Sequence, residues 1–188
     1  MENTRRPAEP TCSFRGISTD VAPNLSTDEI IRRLLESAQE SLGQGDKQVP
    51  TFFAFFEKTV EIFHIVDAKG SWRAELMPKA FVPYVAKRKP DKVAFVAQGI
   101  VQQLSAGMSK ALERGSIGLG QIPSQKTLTI FVESRTEYAQ VRYHIGATSD
   151  GVEAVGGMIS YETSAEVSPT KRPEFTFYDT LPQRAVYH

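Results

Sequence analysis

The sequence predicts an α+β fold: a mostly antiparallel sheet with about two helices packed on one face, flanked by extended N- and C-terminal arms. Three observations predict it. One strong amphipathic helix opens the central zone, at Ile30–Leu42. Pairs of β-rich runs lie close together along the chain, at 49–66 and 127–145, as hairpins do. Helix, hairpin, helix and then several strands is an α+β order, not the alternation of βαβ units. Proline-bearing stretches without a sustained period bound this zone. Residues 1–25 read as an N-terminal arm, 26–164 as the globular domain and 165–188 as an aromatic, Pro-rich C-terminal arm.

Taken in order, Ser26-Thr27-Asp28-Glu29 fits a capping box, the serine accepting from an early amide and the glutamate reaching back. Ile30, Ile31, Leu34, Leu35, Ala38 and Leu42 recur at helical spacing and form one apolar face. Gly43 falls where a left-handed residue would end the helix. Val49–Phe56 and Thr59–Val66 are aromatic and β-branched and read as a hairpin. Phe52 and Phe53 are adjacent, so both faces of the first strand meet apolar surroundings. A second helix is expected from Ser71 to about Lys89, broken or kinked by Pro78 and Pro83.

Val93–Leu104 reads as a strand, bulged at Gly99. Gly107–Pro123 is glycine-rich and reads as a long loop with a helical turn near Met108–Leu112. Thr127–Glu133 and Tyr138–Ile145 form the second hairpin, Asp150-Gly151 a turn, and Met158–Tyr161 one more strand.

Composition narrows the function classes. The 188 residues hold 22 basic and 22 acidic side chains, a balance that argues against a protein gripping nucleic acid across its whole surface, which needs a dominant positive face. One cysteine, Cys12, excludes an internal disulfide and any multi-cysteine metal site. Arg5-Arg6 is followed by Pro, Ala, Glu and Pro rather than the apolar run of an export signal. No apolar stretch reaches the roughly 18–20 residues of a membrane span. The expectation is a cytoplasmic protein, or one incorporated into an assembly built there.

Chemical motifs are sparse. Gly115-Ser-Ile-Gly-Leu-Gly120 has neither the following Gly-Lys-Ser/Thr nor the strand and helix of a phosphate loop, and reads as a flexible or lid-like loop. His64 and His144 are the histidines of the domain, each in a predicted strand; with Glu61 or Glu162 nearby, either could serve a small enzyme as general base. No ligand spacing supports a metal site, and no cofactor motif is present. Lys87, Arg88, Lys89 and Lys92, with Lys79 upstream, form the one marked basic cluster. It reads as a helix end whose cations suit the dipole, or as the phosphate contact of a nucleic-acid-binding accessory protein.

The C-terminal arm is the most informative segment. Phe175, Phe177 and Tyr178 lie among Pro173 and Pro182 without a helical period. Aromatics in an extended segment gain about 1.5–3 kcal/mol each by burial, so they dock on their own domain or on another subunit. The sequence therefore points first to a non-enzymatic interaction or structural protein, with Phe175, Phe177 and Tyr178 as partner-binding anchors. A component of a bacteriophage particle or of a bacterial multiprotein complex fits this shape. No motif is specific enough to transfer the roles of a known family.

Overall fold

The computed structural model describes residues 11–18, 25–46, 50–66, 76–102, 105–116, 118, 121–163 and 181. Seven antiparallel strands form one open sheet: β1 (Thr11–Ser18), β2 (Thr51–Phe55), β3 (Val60–Val66), β4 (Lys92–Gln102), β5 (Ser124–Ser134), β6 (Tyr138–Ala147) and β7 (Glu153–Thr163). They are ordered β1-β3-β2-β4-β5-β6-β7, with α1 (Thr27–Gly43), α2 (Leu76–Arg88) and α3 (Ala106–Glu113) between them. The α+β class stands.

Three helices, rather than about two, are present among the described residues, and α1 and α2 lie on opposite faces instead of sharing one. The cause is in β2 and β4, which are apolar on both sides. Phe52, Ala54, Val93 and Phe95 point toward α2, where they meet Phe81 and Val85. Ala94 and Val96 point the other way, toward Ile30, Ile31, Ala38 and Leu42 of α1, and Phe53 and Phe55 pack against that second cluster. A central strand with two apolar faces needs cover on both.

α1 begins as expected, Ser26 Oγ accepting from the Glu29 amide at 3.2 Å. Glu29 does not reach back to complete the box. Its carboxylate is taken by Arg32 at 2.6 Å and Arg33 at 3.1 Å. The helix runs through Gly43, and the left-handed residue is Gly45, with φ +80°. Gly45 N–H donates to Leu42 O and Asp46 N–H to Ser41 O, a Schellman closure two residues later than the sequence suggests.

α2 is continuous from Leu76, because Pro78 occupies its first turn, where an N–H has no partner in any case. Pro83 removes one internal bond without ending the helix. The helix stops at Lys89, whose φ of +53° is the one left-handed non-glycine conformation among the described residues. β4 pairs with β5 without a register shift, so Gly99 makes no bulge. α3 is a full helix where a single turn was expected; Ser105 caps it, and Gly115, at φ +67°, closes it.

β1 falls within the stretch read as the N-terminal arm. Among the described strands it pairs with β3 alone, as an outermost strand interrupted by a bulge between Phe14 and Gly16. From the C-terminal arm, Leu181 is described, and at 3% exposure it is part of the apolar core beneath α2.

Candidate interaction surface

Among the described residues, β1 and β7 are the outermost strands of the sheet. An edge strand presents unpaired backbone groups, and large apolar side chains beside them mark a contact surface. The exposed large hydrophobics concentrate there: Phe14 and Ile17 on β1, and Met158, Ile159 and Tyr161 on β7, with Ile100 near the end of β4. Met158 is 61% exposed and Ile17 58%.

Both edges are irregular. β7 slips register against β6 twice, between Arg142 and Tyr143 and between Tyr143 and Ile145, so Ile159 is left without a directly opposed residue. Bulges of this kind twist an edge and interrupt the ladder it offers. A contact at β7 is therefore made mainly by side chains rather than by a long added strand. On the α1 side, Tyr161 donates to Asp28 Oδ1 at 2.8 Å, which fixes one end of the patch against the first turn of α1. Gln98 and Lys126 hold Glu153 at the other end. Beside β1, an apolar notch of about 120 Å³ opens between α1 and the sheet, floored by Leu34, Phe53, Phe55, Val60 and Ile62.

A second cavity, of about 330 Å³, lies at the N-terminus of α1 and takes in Leu25, Phe55, Glu57, Asp91, Lys92 and Glu137. Lys92 Nζ donates to Leu25 O at 3.2 Å and to Glu137 Oε2 at 3.2 Å. Thr27 Oγ1 donates to the same carboxylate at 2.5 Å. That hydroxyl, with the Lys92 charge, holds the Glu137 carboxyl below its ordinary range against the opposing effect of burial. These contacts lock the start of α1 to β4 and to the β5–β6 turn.

The basic cluster is divided by the sheet. Lys92 belongs to the α1 side, where it is spent on the lock just described. Arg88 lies on the α2 side, ion-paired to Glu61 and 5.3 Å above the Phe56 ring. Tyr84 also donates to Glu61, and burial together with that carboxylate raises the phenol's pKa. Lys87 and Lys89 alone of the four remain exposed without a described partner. The sequence places these cations together; the end of α2 and the start of β4 send Arg88 and Lys92 to different faces of the sheet.

His64 accepts from Arg15 Nε at 3.0 Å through Nδ1, so its described side-chain partner is a cation rather than Glu61 or Glu162. Burial, then the Arg15 charge, lowers its pKa. His144 stands half-buried on β6 beside Gly146 and Gly156. Glu61 is engaged with α2, and Glu162 lies opposite Gln140 rather than His144. Gly115 ends a helix instead of opening one. Phe175, Phe177 and Tyr178 lie outside the described residues.

No group of three or more His, Cys, Asp and Glu gathers around a common point among the described residues, and no described helix is long and apolar enough to cross a membrane. Comparison with known proteins finds no matching family model, curated protein or solved structure. The exposed strand edges were missed in the sequence. Met158–Tyr161 reads as a strand, but whether a strand lies at an edge depends on pairings made far along the chain.

Proposed function

We propose that this chain is a non-enzymatic interaction or structural protein, a subunit that joins copies of itself into a larger assembly. The supporting observation is the exposed apolar side chains on both edge strands of an open sheet, Phe14 and Ile17 at one edge and Met158, Ile159 and Tyr161 at the other. Edges at opposite ends of one sheet suit repeated contacts between subunits, each using two different surfaces. A bacteriophage particle or a bacterial multiprotein complex is the kind of assembly that uses such a unit. Phe175, Phe177 and Tyr178 are proposed as additional anchors, carried on a tail that Leu181 ties to the core of its own domain. The nucleic-acid reading is less favoured, because Arg88 and Lys92 serve intramolecular pairs on opposite faces.

The test compares solution mass by light scattering for the full chain, for Met158→Lys with Ile159→Lys, and for the triple variant Phe175→Ala, Phe177→Ala, Tyr178→Ala. The edge pair is expected to lower the mass with the thermal transition retained, and the triple variant to weaken association further. An assembly whose mass neither variant changes would refute this choice of surfaces.

A further inference from the structure

The large apolar side chains exposed on the two outermost described strands lie on opposite faces of the sheet. On β1, Phe14 meets the ring of Phe63 edge-on at 5.3 Å, and Phe63 packs against the cluster under α2. Ile17 is directly opposed to Glu61, which bonds to Tyr84 and Arg88 of α2. Directly opposed residues on neighbouring strands share a face, so both β1 side chains belong to the α2 side. On β7, Met158 is opposed to Tyr143 and Tyr161 to Val141, and both of those β6 residues pack in the cluster under α1. Tyr161 also donates to Asp28 of α1. The β7 pair therefore belongs to the α1 side.

Each patch adjoins a helix, and the two helices differ in charge. α2 has no acidic residue and ends in Lys87 and Arg88, with Lys89 next. Arg88 is paired with Glu61, while Lys87 and Lys89 are exposed without a described partner. α1 carries Asp28, Glu29, Glu36 and Glu40 against Arg32 and Arg33. Those two arginines pair with Glu29 and Glu36, which leaves Asp28 and Glu40 as the excess carboxylates of the helix. β7 adds Glu153 and Glu162 and has no cation of its own. A chain with equal numbers of acidic and basic residues is thus positive beside the β1 patch and negative beside the β7 patch.

These placements decide how two copies can meet. Joined edge to edge, the strands would pair backbone groups, yet side chains pointing out of the sheet would still face water. Overlapped face to face, the patches cover one another as the inner faces of two packed sheets do. Two β1 patches overlapped in this way would bring the cations at the end of α2 onto their own counterparts. Two β7 patches would bring Asp28 toward a second Asp28. Like charges oppose both pairings, whereas a β1 patch on a β7 patch sets cations beside carboxylates.

We propose that the α2-side face of β1 in one copy docks on the α1-side face of β7 in the next. Phe14 and Ile17 lie against Met158 and Tyr161, and Lys87 and Lys89 lie toward Asp28. This rests on the assembly reading and names its contact. Because unlike patches meet, each copy keeps one patch of each kind for a further neighbour, and the contact builds a ring or a filament rather than a two-fold dimer.

The test is cross-linking of the full chain in a Cys12→Ser background, which removes the one native cysteine. Six strand spacings of about 4.8 Å separate β1 from β7 within a chain, so a short bis-maleimide joins only different copies. Ile17→Cys combined with Met158→Cys is expected to give a ladder of linked chains, and either cysteine alone to give none. Lys87→Glu with Lys89→Glu, and separately Asp28→Lys, are each expected to weaken association about tenfold with the thermal transition retained. An equimolar mixture of those two variants is expected to associate as the unaltered chain does, because each reversed patch then meets its opposite. Dimers linked through a single cysteine would overturn the proposal by showing that like patches meet. Association of the unaltered chain without a ladder from the double variant would overturn this overlap while leaving self-assembly standing, as would a mixture that regains nothing. An unaltered chain that stays monomeric at every concentration would overturn the assembly reading and this contact together.

Discussion

Among the described side chains of α2, Phe81 is the largest that is fully buried against the sheet, and its removal is a demanding test of the packing described. Phe81 is 2% exposed. Its ring stacks on Phe52 at 4.0 Å with an interplanar angle of 17° and meets Phe63 edge-on at 5.6 Å. Replacing a fully buried Phe by Ala costs about 3–5 kcal/mol, the transfer term plus the cavity left behind. The upper half of that range applies here, because Phe52 is itself 0% exposed and its neighbours on β2 and β4 are fixed by strand pairing, leaving little freedom to collapse into the gap. Phe81→Ala should therefore lower unfolding free energy by about 4 kcal/mol, a large share of the 5–15 kcal/mol typical of a domain. Urea denaturation followed by far-UV circular dichroism would show this as a lower midpoint at unchanged slope. A double-mutant cycle with Phe52→Ala should return a coupling of about 1 kcal/mol or more. A loss below about 1.5 kcal/mol for Phe81→Ala would refute the placement of α2.

Other expectations follow from single sites. Lys89 holds a left-handed conformation at the end of α2, so Lys89→Gly should stabilise the protein by about 0.5–1 kcal/mol in chemical denaturation, and destabilisation would contradict the helix end. Tyr84→Phe removes a donor to the Glu61 carboxylate; with Tyr84 half-buried, a loss of about 1–2 kcal/mol is expected, read from the same denaturation curves. The His64 pKa is lowered by folding, so the folded state binds fewer protons than the unfolded one. Its share of stability is complete above the unfolded value of about 6.5 and fades as pH falls below it. His64→Gln should flatten the stability profile in that window, measured as urea midpoints between pH 7.5 and pH 5, and an unchanged slope would contradict the burial and Arg15 contact.

What was legible in the sequence follows the strength of local pattern. α1 shows a clean 3.6-residue period behind a serine cap, and the β5–β6 hairpin shows alternation on both sides of a short turn. The neighbouring Phe52 and Phe53 already implied two covered faces, a consequence that placing both helices on one side overlooked. β1 was hidden because an edge strand with a bulge needs only one partner and little alternation, and Thr11–Ser18 sits among prolines. α3 was shortened because glycines surround it, although Ser105 and Gly115 are its proper cap and closure. α2 looked broken because a proline in a first turn reads, in sequence, like one in the middle. The site-level errors share one origin. Lys87–Lys92 is a cluster along the chain, yet the end of α2 and the start of β4 send Arg88 and Lys92 to different faces. The placing of the β1 and β7 apolar side chains on opposite faces exists only through strand register, which single-chain spacing does not encode.

The two strand edges are proposed to join copies of this chain. The most direct test is the mass of the unaltered full chain by light scattering over a hundredfold range of concentration. A mass rising to an integer multiple of 20.9 kDa is expected. A constant mass of one chain at every concentration would contradict it.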